Sequence, residues 1–368
     1  MQSASLPSDS FQCLLARLPA DLDLDALALS TKAIVRCRKI GEGRTLLRLA
    51  LARGPGGLSL NQTAAWASMQ DLAKLSDPGL KYRLDKAVPF LKSLMEQQLA
   101  ERAGSVSLRW PGRFLRAVDG TTISQRGSKG SDWRVHAGFD LGTGGFSHLE
   151  LTDKHGAASF ERGAPIPGEV RIGDRNYANA RPLHDLRTRS RGQADFIVRV
   201  RWKSFSLSRP DGTRFNLIEH LGTLPVDDRA HEVMVQAKVD KKQNLPLRLI
   251  VVRKSAEEAE KIRHHLRRSA LRKQKAVDPR SLVAAEFVIL ATSLPTDGYA
   301  AADVLAAYRL RWQIELAFKR LKSLLDIGQL PTRTPEASRS WLYSHLISAL
   351  LYDDLSQDFL ESSPSGPD

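Results

Sequence analysis

The stretch ADVLAAYRLRWQIELAFKRLKSLL, residues 302–325, decides how this sequence is read. It is the clearest helix in the chain, predicted over Ala302 to Leu325. At ~100° per residue, Leu310, Ile314, Ala317, Phe318, Leu321, Leu324 and Leu325 fall on one broad arc. Tyr308, Arg311, Trp312, Glu315, Lys319 and Lys322 fall on a second arc, roughly opposite. The first arc suits a core. The second shows a single acid, Glu315, among bases and two aromatics. On its own, the stretch also fits a solvated amphipathic helix with an i,i+4 ion pair between Arg311 and Glu315.

Two carboxylates elsewhere change the reading. Asp119 follows the β-like run Phe114 to Val118 and precedes Gly120-Thr121-Thr122. Asp174 repeats the arrangement after Val170-Arg171-Ile172-Gly173. Each is expected at or near a strand's C-terminal end. An acid at the mouth of a buried strand is costly to keep charged unless something positive sits there. Each alone could equally be an Asx-turn or a helix cap. Two strand-end aspartates, a helix glutamate and a basic surround together suggest a two-metal phosphoryl-transfer site. Mg²⁺ (or Mn²⁺) takes hard oxygen ligands and keeps several waters, so Asp119, Asp174 and Glu315 with a substrate phosphate would suffice for two ions. Tyr308, Arg311 and Lys322 would then grip DNA phosphates, Arg311 by a bidentate fork. Trp312 would either pack against the insertion between Asp174 and Glu315 or stack on a DNA base.

Outward from these residues, the texture divides. Residues 1 to about 105 read as helical, with Gly54, Gly56 and Gly57 breaking the region in two. A turn at Asp77-Pro78-Gly79 followed by Lys81, Arg83 and Lys86 resembles a helix-turn-helix; a helical bundle with a basic face fits equally well. From about 110, short β-like runs appear: 135–141, 148–151, 169–172 and 196–200, then 231–239, 247–252 and 286–291. A helix is expected over 178–189. The Gly142, Gly144, Gly145 cluster fits a hairpin turn; it lacks the Lys-Ser or Lys-Thr of a phosphate loop. The basic run Lys261 to Lys275 is either a solvated helix face or a track for a phosphate backbone. His264 and His265 inside it are adjacent, so they point to different faces and make a poor metal pair. A last helix is expected over 337–355, and a disordered tail from Glu361 to Asp368.

Composition agrees with a nucleic-acid partner. The chain has 368 residues, of which 55 are Lys or Arg and 41 Asp or Glu, a formal charge of +14. Such an excess favours a polyanion. No apolar run approaches the ~20 residues of a membrane span and no signal-peptide pattern opens the chain, so the expectation is a cytoplasmic protein with no membrane partner. Cys13 and Cys37 make neither a disulfide framework nor a zinc motif.

Tyr308, Arg311, Glu315 and Lys322 also match the spacing Tyr-(2)-Arg-(3)-Glu-(6)-Lys, and the sequence here resembles the bacterial DDE insertion-sequence transposases of the insertion-sequence-four family. Residues 308–315 are similar to that family's catalytic helix, Val118-Asp119-Gly120-Thr121-Thr122 to its first-aspartate strand, and Gly173-Asp174-Arg175-Asn176-Tyr177 to its second. The resemblance covers about Phe114 to Leu325. It implies an α/β fold: an RNase H-like core with a β-rich insertion, preceded by an N-terminal helical DNA-binding domain. It further implies Mg²⁺-dependent cleavage at transposon ends through a DNA hairpin, followed by strand transfer. The partners would be the terminal inverted repeats and target DNA, held by a homodimer. Asn176 stands where members of that family often have glycine. Many members run on into a C-terminal helical region used in dimerisation, whereas this sequence stops soon after its helix at 337–355.

The expected organisation is a helical domain at 1–105, the core's first part at 106–200, the insertion at 201–284, the core's second part at 285–330, and a helix with its tail at 331–368. Two other functions fit parts of the pattern. Another RNase H-like nuclease would share the carboxylates without needing Tyr308, Arg311 and Lys322. A truncated, inactive DNA-binding derivative would keep the basic surface.

Overall fold

The structure, a computed structural model, describes residues 8–37, 39–100, 102, 110, 112–324 and 329–362. Its first part is helical, as the sequence predicts: α1 (Ser8–Leu15), α2 (Leu24–Ser30), α3 (Gly43–Arg53), α4 (Leu60–Met69), α5 (Asp77–Lys86) and α6 (Val88–Ala100). Polar caps set the starts. Asp23 accepts from the Asp25 and Ala26 amides, and Ser59 with Gln62 forms a capping box on α4. Asp77-Pro78-Gly79 is not a turn between helices. It forms the first turn of α5, capped by Ser76, where proline's preset φ helps and its missing N–H is no loss. The turn is made instead by residues 70–76, with Asp71 in the left-handed region. The expected boundary near 105 lies outside the described residues.

The second part opens with β1 (Phe114–Gln125), β2 (Trp133–Asp140), β3 (Gly145–Asp153), β4 (Glu169–Gly173), α7 (Ala180–Arg189) and β5 (Asp195–Arg199). Then come β6 (Leu207–Ser208), α8 (Leu217–Thr223), β7 (Ala230–Lys238), β8 (Asn244–Arg253), α9 (Ala256–Arg272), α10 (Pro279–Ala284) and β9 (Phe287–Thr292). The chain closes with α11 (Ala301–Arg309), α12 (Trp312–Leu324), β10 (Gln329–Leu330) and α13 (Pro335–Ser362). The helix α13 therefore includes Glu361 and Ser362, which the sequence reading placed in a disordered tail; the remainder of that tail lies outside the described residues.

The strands make one mixed sheet in the order β3-β2-β1-β4-β5-β9-β8-β7-β6. The strands β1, β4 and β5 are mutually parallel, while β2, β3 and β9 run antiparallel to their neighbours. Residues 201–284 supply β6, β7 and β8, and β8 pairs with β9 over six positions, Arg248↔Thr292 to Arg253↔Phe287. The expected insertion thus prolongs the central sheet.

Alternation along the strands sorts side chains onto two faces. On one face, Leu115, Ile172, Ile197 and Leu290 pack beneath Val304 and Ala307 of α11. On the same face, Ala117, Ile123 and Phe139 pack beneath Ile314, Phe318 and Leu321 of α12. The opposite face carries Phe196, Val198 and Leu249 against Leu183 and Leu186 of α7 and Leu221 of α8. The core beneath α12 runs on without a break into Leu342, Leu346 and Leu350 of α13 and Phe90, Leu91 and Leu94 of α6. Arg102 donates to the Leu350 carbonyl and pairs with Asp353 and Asp354. The N-terminal helices and the sheet are therefore welded through α13.

Candidate active site

The parallel pairing of β1 and β4 ends at Val118↔Gly173, so Asp119 and Asp174 leave adjacent strands one residue later, side by side. The strand β1 itself continues to Gln125, paired with β2 and, at Ser124↔Gln329, with β10. Asp119 thus sits in mid-strand and not at a strand end; what ends there is its neighbour. A buried network fixes the register below the pair. Glu169 accepts from Arg116 at 2.9 Å and from Arg171 at 2.7 and 3.2 Å, and Arg171 also donates to the carbonyls of Phe160, Arg162, Gly163 and Ala164. Gly138 leaves room for Arg116, since a Cβ there would lie 2.7 Å from the Arg116 side chain. Gly173 serves Asp174 in the same way: a Cβ would lie 2.8 Å from Phe160 and 3.0 Å from Tyr177.

The third carboxylate arrives differently. The predicted single helix over 302–325 is two helices. Between them the bonds are of the tighter i→i+3 kind: Leu310 N–H to Ala307 O, Arg311 to Tyr308, Gln313 to Leu310 and Ile314 to Arg311, at 3.0–3.2 Å. No proline or glycine causes this. The two halves dock on different cores, α11 over β5 and β9 and α12 over β1, and the chain bends where one hands over to the other. Residues 310 and 311 fall at the bend, so Arg311 swings over the aspartates.

Arg311 organises the cluster. Its Nη2 donates to Glu315 Oε1 at 2.6 Å and its Nη1 lies 3.9 Å from Asp119 Oδ2. Tyr308 packs alongside, 6.0 Å from the guanidinium carbon. Burial pushes the Asp119 carboxyl above the usual carboxylate range, and Asp174 and Glu315 add to the push; the Gly120 N–H and Arg311 oppose it. Burial also disfavours the Arg311 cation, but Glu315, Tyr308 and Asp119 outweigh it and its pKa rises. Burial raises the Tyr308 phenol against the pull of Arg311 and Arg199.

Asp174 makes an Asx-turn: Oδ1 accepts from the Asn176 N–H at 2.8 Å and Oδ2 from its Nδ2 at 3.1 Å. Asn176 in turn accepts from Arg201 at 3.1 Å. Its φ is not positive, so it is not there to tolerate a glycine-like turn. It orients the carboxylate. Sequence reasoning missed this role, and Arg199 and Arg201 with it; the offset of two from Asp174 was the available signal.

The structure brings Asp119, Asp174, Tyr308, Arg311 and Glu315 together. Lys322 lies two turns beyond Glu315 on the same helix face, about 10 Å along the axis. Trp312 is 52% exposed, with the remainder of its surface covered. Among the described residues, no three of His, Cys, Asp and Glu are close enough to hold a metal ion in this arrangement. The donor set nevertheless suits a hard cation: three carboxylates repel one another, and a guanidinium stands between Asp119 and Glu315 as their counter-charge. Among the described residues, no helix is long and apolar enough to cross a membrane.

The family described as Transposase DDE domain matches residues 110–351. The chain is 40% identical over 359 residues to InsL of Escherichia coli, designated a transposase for insertion sequence element IS186A, covering 97% of this chain and 96% of that one. It is 40% identical over 360 residues, with the same coverage, to the transposase for insertion sequence element IS421 of Escherichia coli. At 26% identity over 312 residues it matches the transposase for insertion sequence element IS231F of Bacillus thuringiensis subsp. israelensis, covering 75% of this chain and 65% of that one. A solved piggyBac transposase synaptic complex with hairpin DNA is similar at a TM-score of 0.44 and 10% identity, covering 97% of this chain and 66% of that one, too distant a likeness to argue from.

Proposed function

The chain belongs to the DDE transposase family of insertion sequences, and on that premise we propose that Asp119, Asp174 and Glu315 are its catalytic carboxylates, cutting DNA at the element's ends and joining it to a target by a cut-and-paste route. The observation that carries this is the juxtaposition of Asp119 and Asp174 at the end of the β1–β4 pairing with Glu315 across from them behind Arg311. The strand order β3-β2-β1-β4-β5, with β1, β4 and β5 parallel, supports an RNase H-like reading of the core.

Two Mg²⁺ (or Mn²⁺) ions held by the three carboxylates would supply the Lewis acidity that activates a water or a 3′-hydroxyl and neutralises the leaving 3′-oxygen. This chain's own residues do the rest. Asn176 holds the Asp174 carboxylate in one orientation. Arg311 exchanges Glu315 for a DNA phosphate, which frees the glutamate as a ligand and places the phosphate for in-line attack. Tyr308 backs the guanidinium. Lys322, two turns on, takes a second phosphate, and Trp312 offers an exposed ring for a base.

End recognition falls to the N-terminal helices. Tyr82, 58% exposed, lies with Arg83 and Lys86 of α5 beside Lys32 and Arg36 around a cavity of about 690 Å³. Deleting residues 1–105 would strip apolar cover from α13 and β3, so the test is substitution of Tyr82, Arg83 and Lys86. It should weaken binding to the element's ends and leave the melting temperature unchanged. Two copies of the chain would bring two ends together.

The function itself is tested by incubating the protein and Mg²⁺ with a labelled duplex carrying the element's terminal repeat. Nicking at the repeat boundary, absent in Glu315→Gln, is the expected result. Cutting of an RNA–DNA hybrid in preference to that duplex would overturn the reading.

A further inference from the structure

Beside Asp174 opens a cavity of about 920 Å³ whose walls come from the end of β5 and from α9. Its lining includes Arg175, Arg199, Arg201, Lys203, Lys261 and Lys273, and the one carboxylate on it is Asp174. Tyr308 and Arg311 close the end nearest the active site. Along α9, Arg263 and Arg267 pair with Glu260, and Arg263 also pairs with Glu286. Inside the cavity, by contrast, no carboxylate among the described residues forms a salt bridge with Arg175, Arg199, Lys203 or Lys273; Asp278 acts on Lys203 from further off, and Lys261 has only an exposed partner, Glu257. So many like charges left facing one another are tolerable only where water or a bound polyanion screens them.

The volume narrows the ligand. At about 920 Å³ it falls within the ~300–1,000 Å³ of an ordinary ligand pocket, room for a few nucleotides of one strand. Two side chains on the lining are already engaged. Lys254 donates to the Ala285 and Phe287 carbonyls, and Trp202 donates to Ser281 and lies 4.3 Å from the Arg280 guanidinium. The ring and this ammonium hold the wall together, which leaves Arg175, Arg199, Lys203, Lys261 and Lys273 to meet phosphates.

We propose that this cavity holds a single DNA strand by its phosphates, the strand that continues from the phosphodiester at Asp174, unpaired from its complement. The proposal rests on the DNA-cleaving reading of the adjacent carboxylates and adds to it the path and the strandedness of the substrate. It gives the basic run of α9 two different faces: Lys261 and Lys273 turned to the strand, Arg263 and Arg267 spent on structure.

The test uses the full chain with Lys203→Gln, Lys261→Gln and Lys273→Gln combined. All three lysines are exposed, so the fold should keep its melting temperature. Affinity is measured by fluorescence anisotropy against salt, once with a short mixed-sequence single-stranded oligonucleotide and once with a blunt duplex of the same sequence. Losing three cations should cut single-strand affinity roughly tenfold or more and lower the slope of log K against log salt by about 2, at ~0.7 per phosphate contact. Duplex affinity should change by less than about twofold, and the Lys→Arg triple should bind single strands as the wild type does. Equal loss for duplex and single strand would make the cavity part of a general duplex surface and overturn the proposal. Unchanged single-strand binding would overturn it too. Nicking of the terminal-repeat duplex by the wild type is scored separately, so the cavity's role can fail while the cleavage reading stands.

Discussion

Asp119 and Asp174 are held by strands, Glu315 by a helix that has just been bent. The aspartates rest on a parallel pair whose register is fixed by the buried Arg116–Glu169–Arg171 network. They have almost no freedom that the sheet does not share. Glu315 follows a segment closed only by i→i+3 bonds, its side chain is tied to Arg311, and the two helices on either side answer to different cores. The contrast teaches how the proposed cation site draws its carboxylates from two unlike supports. On the rigid half, burial and the neighbouring Asp174 disfavour the Asp119 anion, and the adjustable half brings Arg311 beside it as a counter-charge. Four experiments would break or sharpen this contrast.

The largest effect should come from the rigid half. Asp119→Asn and Asp174→Asn should each slow end cleavage by at least ~10³-fold, because neither amide can replace an anionic ligand. Asp119→Asn should in addition leave stability equal or higher. Burial and two neighbouring carboxylates already disfavour the Asp119 anion, so removing its charge relieves a cost. A fall in melting temperature of many degrees in Asp119→Asn would show that the carboxylate is a structural group.

Packing comes next. Gly173→Ala would drive a methyl into Phe160 and Tyr177, at a cost of about 1–3 kcal/mol, and tilt Asp174 away from Asn176. Gln313→Ala, half-buried in the bend, should cost less than about 1 kcal/mol. Comparable losses from the two, read by denaturant unfolding, would erase the distinction between a rigid and an adjustable half.

The strand side should also respond to acid through His136 on β2. Burial, helped by Arg162, lowers this imidazole from 6.5 to about 4, and its Nε2 lies 3.0 Å from Thr152 Oγ1. The folded pKa is below the unfolded one, so the stability it confers is full above pH 6.5 and is lost as pH falls toward 4, by about 1–2 kcal/mol after allowance for solvent screening. Asp353 acts in the opposite direction. Burial raises it to about 6, so the fold gains stability as pH falls from 6 toward 3.8. The two nearly cancel in a raw curve. The difference between wild type and His136→Gln isolates the histidine: the variant should lose less stability between pH 7 and pH 4.5. An identical loss in both would remove His136 from the account.

The same contrast marks what the sequence could disclose. The strands before both aspartates, the hairpin at Gly142–Gly145 and the helical character of residues up to 100 were legible because they rest on local alternation, turn chemistry and caps. The bend at 310–311 was not, since its residues are ordinary helix formers and its cause is a handover between two cores distant in sequence. The welding of α13 to α6 and the continuation of the sheet from β9 into β8 were hidden for the same reason. Asn176 was visible but misread: its departure from glycine drew notice as a matter of backbone freedom, when its amide is what orients Asp174. Asp77-Pro78-Gly79 was misread in the other direction, as a turn, when proline at a helix start is equally good punctuation.

The smallest expected effect separates the two roles on the bent helix. Glu315 and Arg311 are now paired to each other, so removing either releases the other. Glu315→Ala frees a guanidinium beside the cleft and removes a negative charge near where phosphate binds. DNA affinity should hold or tighten slightly, while cleavage is lost at every Mg²⁺ concentration. Arg311→Ala leaves three carboxylates without their counter-charge and one phosphate contact fewer. Affinity for the element's duplex end should fall a few-fold and the salt slope by about 0.9, one contact's worth on duplex DNA. The variant's own demand for a cation should rise, so its melting temperature should climb more steeply with Mg²⁺ than the wild type's. That last reading needs no DNA and no turnover. Should Arg311→Ala show the wild-type salt slope and no added Mg²⁺ dependence, the arginine is a structural tie of the bend, and the adjustable half of the site is no more adjustable than the strands.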